Sequence, residues 1–448
     1  MTGEAHRPQA SVAALVALGI GSMVGAGIFA LLGEAARLAG AAVWLSFLAA
    51  GVIAMLTGHS FVRLAVRYPS RGGLVEYLVQ AYGAGTFSGG CSILFYISQL
   101  IGMAMISLAF GKFSARLLDL QADLPFWERI LACSLIVVLS SLQLAGSRLV
   151  SVAQRVIVLV NLAALTVFAV ALTRYVEADR LQVATWPEPS SVLGSLSLTF
   201  MAFTGFAVIS NAAERVRDPV RDLPRAMYLS IGAVTVLYVS LALVVAGTVD
   251  ADTLRSSGAT LIASATRAHL GEAGFYLLLV VAVAATVTCL NGGLFGVTGV
   301  TYTLAEKGQL PSRFKADLGA TTRGLTISAA IAIIMVNFFD LSTVASLGAA
   351  TSLMVYALVN VAALRLVDDG GLSRVAIYLS IAACVLAILV WAIYTYQTKP
   401  QSLVVFLAFL AISFVAESAL QRGAKRRILP QVSESAGKAG DASQAPGV

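Results

Sequence analysis

Apolar stretches of roughly twenty residues follow one another along this chain, separated by short polar breaks, and each stretch is long enough to cross a bilayer as a helix. Reading the apolar runs against their breaks predicts about twelve spans. The first half supplies 11–32, 41–66, 86–110, 130–144 and 152–173, and the second 195–213, 229–248, 273–304, 325–339 and 344–364. Two more, 375–394 and 403–419, complete the set. The expected organisation is a cytoplasmic N-terminus over 1–10, a first five-helix unit over 11–173, a second over 195–364, two further helices over 375–420 and a cytoplasmic tail over 421–448. That tail starts basic and turns rich in Gly, Ala, Ser and Gln, a composition expected to be disordered.

Two of these spans are interrupted. GIGSMVGAGIF, running over 19–29, clusters glycine in the middle of the first. FMAFTGFAV, over 200–208, does the same half a sequence later, with the basic run ERVRDPVRDLPRAM directly after it. A helix broken in hydrocarbon strands amide and carbonyl groups, which is costly unless something polar meets them. Paired breaks in corresponding halves of a polytopic chain mark a substrate site near the bilayer midplane.

Composition fits that picture: 58% of the 448 residues are hydrophobic and 12% charged, against about 25% charged in a soluble domain. The net charge of +7 lies mostly in short loops, which excludes a nucleic-acid surface and follows the positive-inside rule. With the N-terminus cytoplasmic, the inward loops hold Arg63, Arg67 and Arg71, then Arg215, Arg217, Arg221 and Arg225. They continue with Lys307, Arg313, Lys315 and Arg323, then Arg422, Lys425, Arg426 and Arg427, so both termini fall in the cytoplasm. The polar start, Met1–Ala10, is no cleavable signal. Cys91, Cys133, Cys289 and Cys384 stand singly in apolar runs and frame neither a disulfide nor a metal site. No nucleophile–base pair or cofactor fingerprint is present. The GxGxxG-like start at Gly19 lacks the strand that a dinucleotide motif needs.

The breaks have a definite chemistry. A helix that restarts at Ala26 and Gly27 presents amides with partial positive charge, which suit a carboxylate. The carbonyl of Met23, ending the first half-helix, suits an ammonium, as do those of Met201, Phe203 and Thr204 in the second break. Together they select a zwitterion. Glycines at 21 and 25 also fit plain helix packing.

GIGSMVGAGIFALLGEAARLAG resembles the first helix of the amino acid–polyamine–organocation (APC) transporter superfamily. FVRLAVRYPSRGGLVEYLVQAYG resembles its second helix and the segment after it, and FMAFTGFAVISNAAERVRDPVRDLPRAMYLSI its sixth helix and following loop. NGGLFGVTGVTYTLAEKGQLPSRF is similar to its eighth helix and loop. Helix 6 looks closest to prokaryotic broad-specificity, proton-coupled amino acid transporters. The resemblance implies an all-α polytopic protein with a LeuT-type 5+5 inverted repeat, helices 1 and 6 broken, in the cytoplasmic membrane. It implies a secondary carrier of amino acids by alternating access, with an amine or polyamine exchanger or a non-transporting amino acid sensor as alternatives. Carried over by motif, Gly25, Ala26 and Gly27 face the substrate carboxylate. Met23, Met201, Phe203 and Thr204 take the amine, and Phe200 or Phe203 is an aromatic gate.

Ala207 occupies the place where cationic-substrate members often carry an acid, so a neutral amino acid is expected. Asp119, Asp123, Glu177, Asp250 and Asp252 fall in loops and Glu214 at a helix end, so no carboxylate is expected at the midplane. Proton-coupled relatives carry a lysine in helix 5 where this chain places Asn161, which cannot cycle a proton. Coupling is left open between H⁺, Na⁺ and neither. Thr286 and Thr288 are the candidate Na⁺ oxygens, though membrane threonines more often bond their own helix. His59 is a candidate titrating group. Glu214 and Arg215 head a charged collar that reads either as an inner gate or as ordinary flanking charge.

Overall fold

A computed structural model of the protein describes residues 11–70, 73–120, 122–145, 149–306, 323–367 and 372–424. The expected N-terminal segment over 1–10, most of the tail, and Arg71, Lys307, Arg313 and Lys315 lie outside the described residues. Among those described there is no strand, and ten helices are long and apolar enough to cross a membrane. Two expected spans fall short of that length: Val12–Met23, because the first break ends it, and Arg323–Phe338.

The chain opens with α1 (Val12–Met23), capped where the Ser11 hydroxyl accepts from the Ala14 amide at 3.2 Å. After the break come α2 (Ala26–Ala39), α3 (Val43–Arg67), the short α4 (Leu74–Tyr82) and α5 (Thr86–Leu117). Then follow α6 (Leu124–Leu144), α7 (Leu149–Leu172) and α8 (Pro189–Met201). A 3-10 segment, Thr204–Arg215, leads to α9 (Pro219–Thr248) and the short α10 (Ala251–Ser256). α11 (Leu261–Glu306) bends at Gly271, whose φ of 70° is open to glycine and strained for other residues. α12 (Arg323–Phe338), α13 (Leu341–Leu366), α14 (Leu372–Thr398) and α15 (Pro400–Ala424) finish the chain.

α3 packs along α9, and α1 lies between α9 and the 3-10 segment. α5 runs through the middle, against α11, α13, α6 and α15. In the most apolar windows of α13 and α15, 78% and 17% of residues are buried, so α13 is a core helix and α15 a peripheral one. Apolar side chains on α14 and α15, such as Leu389, Ile393, Val404 and Val415, point outward, as lipid-facing positions do. Near the far end of α3, His59 lies 2.7 Å from the Tyr228 hydroxyl on α9 and 2.9 Å from Ser373 Oγ on α14. It joins three helices.

Candidate functional site

The two interruptions meet. α1 stops at Met23, Val24 and Gly25 turn out of helical geometry, and α2 starts at Ala26. The Gly25 amide donates to the Met23 carbonyl at 3.1 Å. As at any helix start, the first amides of α2 have no carbonyl of their own helix to meet. In the second break α8 ends at Met201, Ala202 and Phe203 keep right-handed helical backbone, and the 3-10 segment takes over at Thr204. This break is therefore a tightening of the helix. It runs 12 residues, whereas 3-10 runs beyond about 3–4 residues are uncommon.

Glycine permits the contact. A Cβ on Gly205 would lie 2.3 Å from the Ser22 carbonyl oxygen, so the two backbones touch only because that position is bare. Ser22 Oγ donates to the Gly205 carbonyl at 2.7 Å. A Cβ on Gly27 would stand 3.4 Å from Ala202 Cα, and one on Gly25 3.3 Å from Cys289 Cβ and Sγ on α11.

Of the four carbonyls expected to receive an ammonium, those of Met23, Met201 and Thr204 already accept hydroxyl protons. Tyr238, fully buried on α9, donates to the Met23 carbonyl at 2.7 Å and reaches the Ala202 carbonyl at 3.4 Å, so one phenol spans both breaks. Tyr356 on α13 donates to the Thr204 carbonyl at 2.7 Å, and Thr204 Oγ1 donates to the Met201 carbonyl at 2.9 Å. The Phe203 carbonyl accepts from the Phe206 amide at 3.1 Å. A buried carbonyl left without a donor costs about 1–3 kcal/mol, which these hydroxyls offset. Rings enclose them. Phe203 meets Tyr238 edge-on at 5.1 Å, Phe200 meets Tyr356 at 5.8 Å, and both phenylalanines are fully buried.

The remaining sequence candidates scatter. Ala207 is half-buried, and its carbonyl accepts from Ser210 Oγ at 2.7 Å. Asn161 is 1% exposed on α7, and both its amide oxygen and nitrogen lack a hydrogen-bond partner among the described residues. Thr286 Oγ1 donates to the Val283 carbonyl at 2.7 Å and Thr288 Oγ1 to that of Ala285 at 2.9 Å, each within α11. Glu214 and Arg215 end the 3-10 segment, exposed and away from the contact.

Sequence reasoning missed Tyr238, Tyr356 and Ser22, whose hydroxyls complete the site. It also passed over Glu34 on α2 and Glu417 on α15, carboxylates inside helices that are 4% and 1% exposed. A polar tip in an apolar run was the available signal. Which carbonyl each tip reaches depends on contacts between helices far apart in sequence.

A family model described as amino acid permease matches residues 11–416. The chain is 29% identical over 409 residues to the inner membrane transport protein YbaT of Escherichia coli (strain K12), covering 91% of this chain and 95% of that protein. It is 30% identical over 384 residues to an uncharacterized transporter of Mycobacterium tuberculosis, covering 83% of each. Cationic amino acid transporter 2, vacuolar, of Arabidopsis thaliana is 27% identical over 391 residues, which are 81% of this chain and 61% of that one.

Proposed function

Since this chain belongs to the amino acid permease family of the APC superfamily, a multi-pass inner-membrane transporter of amino acids or related organocations, we propose that it carries neutral amino acids by alternating access. One observation carries the reading: the two breaks close on each other, with Tyr238 bridging their carbonyls. In the loaded carrier the substrate ammonium takes over the carbonyls of Met23, Met201, Phe203 and Thr204. Its carboxylate lies at the amides of Gly25, Ala26 and Gly27, where the dipole of α2 favours negative charge. An ammonium is a stronger donor than a phenol, so exchanging one for the other supplies a differential interaction between empty and loaded states.

The two five-helix units, 11–173 and 195–364, are proposed as the inverted repeat, each beginning with its broken helix. α1 and α2, α3, the α8/3-10 span and α9 form the moving bundle, with Phe200 and Phe203 as the gate over the substrate. Glu214 and Arg215 form an inner gate at the cytoplasmic end, and both termini are cytoplasmic. The orphaned amide of Asn161 leaves a polar position without a titrating group, which counts against a lysine-type proton relay. Thr286 and Thr288 spend their hydroxyls on their own backbone, which weakens a sodium role without removing their oxygens as acceptors.

A second reading, transport of cationic amino acids or an amine, is favoured by the relatives named cationic amino acid transporters. Ala207 argues against it, because nothing acidic stands at that position. Uptake of labelled amino acids into proteoliposomes, with Na⁺ and pH gradients imposed separately, tests the proposal. Neutral amino acids accumulating ahead of arginine, lysine or putrescine is the expected result. Preference for the cations supports the second reading, and binding without flux identifies a sensor.

A further inference from the structure

A cavity of about 230 Å³ opens among α2, α8, α13 and α14. It lies at the end of the bundle opposite the Arg63 and Arg215 collar, which is the outer face of the bilayer in the orientation proposed above. Glu34, on its wall, stands eight residues beyond Ala26 along α2, about 12 Å at helical rise. The volume is below the roughly 300–1,000 Å³ of pockets that enclose a drug-sized ligand, so it has room for a polar head group and not for a whole lipid.

The wall carries both signs of charge and spare hydrogen-bonding capacity. Glu34 is 4% exposed, and its Oε2 meets Arg37 Nη1 at 3.4 Å, longer than the about 2.7–2.9 Å of a good charged hydrogen bond. Among the described residues its Oε1 accepts no hydrogen bond. A buried carboxylate is costly unless paired and hydrogen-bonded, so a further cationic donor is favoured here. Two cations line the same cavity, Arg37 half exposed and Lys399 exposed. Lys399 is shared with the Asp340 carboxylate. Thr395 and Ser402 bring two hydroxyls, both more than nine-tenths buried, and neither makes a hydrogen bond among the described residues. The Trp391 indole N–H is already donated to Ser346 Oγ at 2.8 Å. On α14, the helix that ends beside Lys399, Leu389 and Ile393 point outward as a lipid-facing strip.

We propose that this cavity holds the head group of a phosphatidylethanolamine drawn from the outer leaflet. The ammonium, with three N–H donors, lies on Glu34 Oε1. The phosphate accepts from Arg37, Lys399 and the Thr395 and Ser402 hydroxyls, the cations supplying charge-assisted bonds. The acyl chains pass over the end of α14 and down the strip of Leu389 and Ile393. Basic pockets between transmembrane helices hold anionic phospholipid head groups, and the added Glu34 turns this one toward a zwitterion. Phosphatidylglycerol brings no ammonium to it, and phosphatidylcholine brings one with no N–H to donate. A lipid lodged there ties α2 and α8 to α13 and α14.

The test titrates delipidated full-length protein in detergent with dihexanoyl phosphatidylethanolamine, phosphatidylcholine or phosphatidylglycerol, and reads the rise in melting temperature against lipid concentration. Half-saturation by the ethanolamine lipid is expected at a concentration about fivefold or more below that of either other lipid. Glu34→Gln should weaken the ethanolamine lipid alone by about fivefold or more, and Lys399→Gln should weaken the ethanolamine and glycerol lipids alike by about twofold. Glu34→Asp should restore part of the loss. If Glu34→Gln fails to fold, Glu34→Asp and Lys399→Gln at its exposed position decide. Glycerophosphoethanolamine, the head group without acyl chains, should bind far more weakly than the lipid. Equal binding of the two overturns the lipid assignment in favour of a soluble phosphoester. Equal half-saturation by all three lipids, or half-saturation unchanged in the folded variants, overturns the site. Neither result touches the carrier reading, because the measurement is of binding and not of flux.

Discussion

Tyr238→Phe isolates the hydroxyl that bridges the two breaks. The ring is retained, so its edge contacts to Phe47 at 5.6 Å and Phe203 at 5.1 Å survive and no cavity opens. What is lost is the 2.7 Å bond to the Met23 carbonyl and the weaker 3.4 Å approach to that of Ala202. The Met23 carbonyl keeps the Gly25 amide at 3.1 Å, a partial replacement. A buried carbonyl deprived of one donor loses about 1–3 kcal/mol, placing the expected cost near the lower end, about 1–1.5 kcal/mol. If that cost falls on the state with the breaks closed together, its population relative to open states drops about five- to tenfold. Cys289 reports it, because its half-buried thiol stands against the first break, 3.3 Å from where a Cβ on Gly25 would be. In a Cys133→Ser background, alkylation of Cys289 by a membrane-permeant maleimide should accelerate about five- to tenfold in Tyr238→Phe. Cys91 and Cys384, buried elsewhere, serve as internal controls. Equal alkylation rates with and without the hydroxyl refute the claim that Tyr238 holds the breaks together.

Gly205→Ala, whose Cβ would stand 2.3 Å from the Ser22 carbonyl oxygen, should cost about 1–3 kcal/mol or more and abolish uptake. Gly299→Ala, which meets nothing within 4 Å, should leave melting and uptake unchanged. Asn161→Leu removes two unpaired buried polar atoms and should leave thermal stability equal or higher, read as the detergent melting temperature. Asn161→Lys should make uptake respond to an inward proton gradient. Asp250 caps α10, its carboxylate accepting from the Thr253 hydroxyl and amide. Those bonds hold its pKa below the usual carboxylate range, so the cap's contribution is complete above the unfolded value near 3.9 and is lost only as pH falls through the lower folded value. Asp250→Ala should therefore lower stability at pH 7 by about 1 kcal/mol, a difference that disappears in strong acid.

The helical spans and both breaks were legible because hydrophobic length and clustered glycine are local signals. The first break fell where the glycines stood, with α2 starting at Ala26. The second took a form the sequence did not announce, since TGF gives no sign that Thr204–Arg215 winds as a 3-10 helix. The hydroxyls on the freed carbonyls were beyond reach for a different reason. Tyr238 and Met23 are 215 positions apart, and no periodicity links them. Glu34 escaped notice because one carboxylate in a run of alanine and leucine does not reveal whether it faces lipid, a neighbour or a cavity.

Counterflow tests the carrier account most directly. Proteoliposomes preloaded with an unlabelled neutral amino acid and diluted into a trace of the labelled one need no ion gradient. A carrier with an occludable site between the breaks predicts a transient overshoot of label, saturable in the internal amino acid and lost in Gly205→Ala. Label that only equilibrates, without overshoot and without saturation, would contradict alternating access and identify a pore.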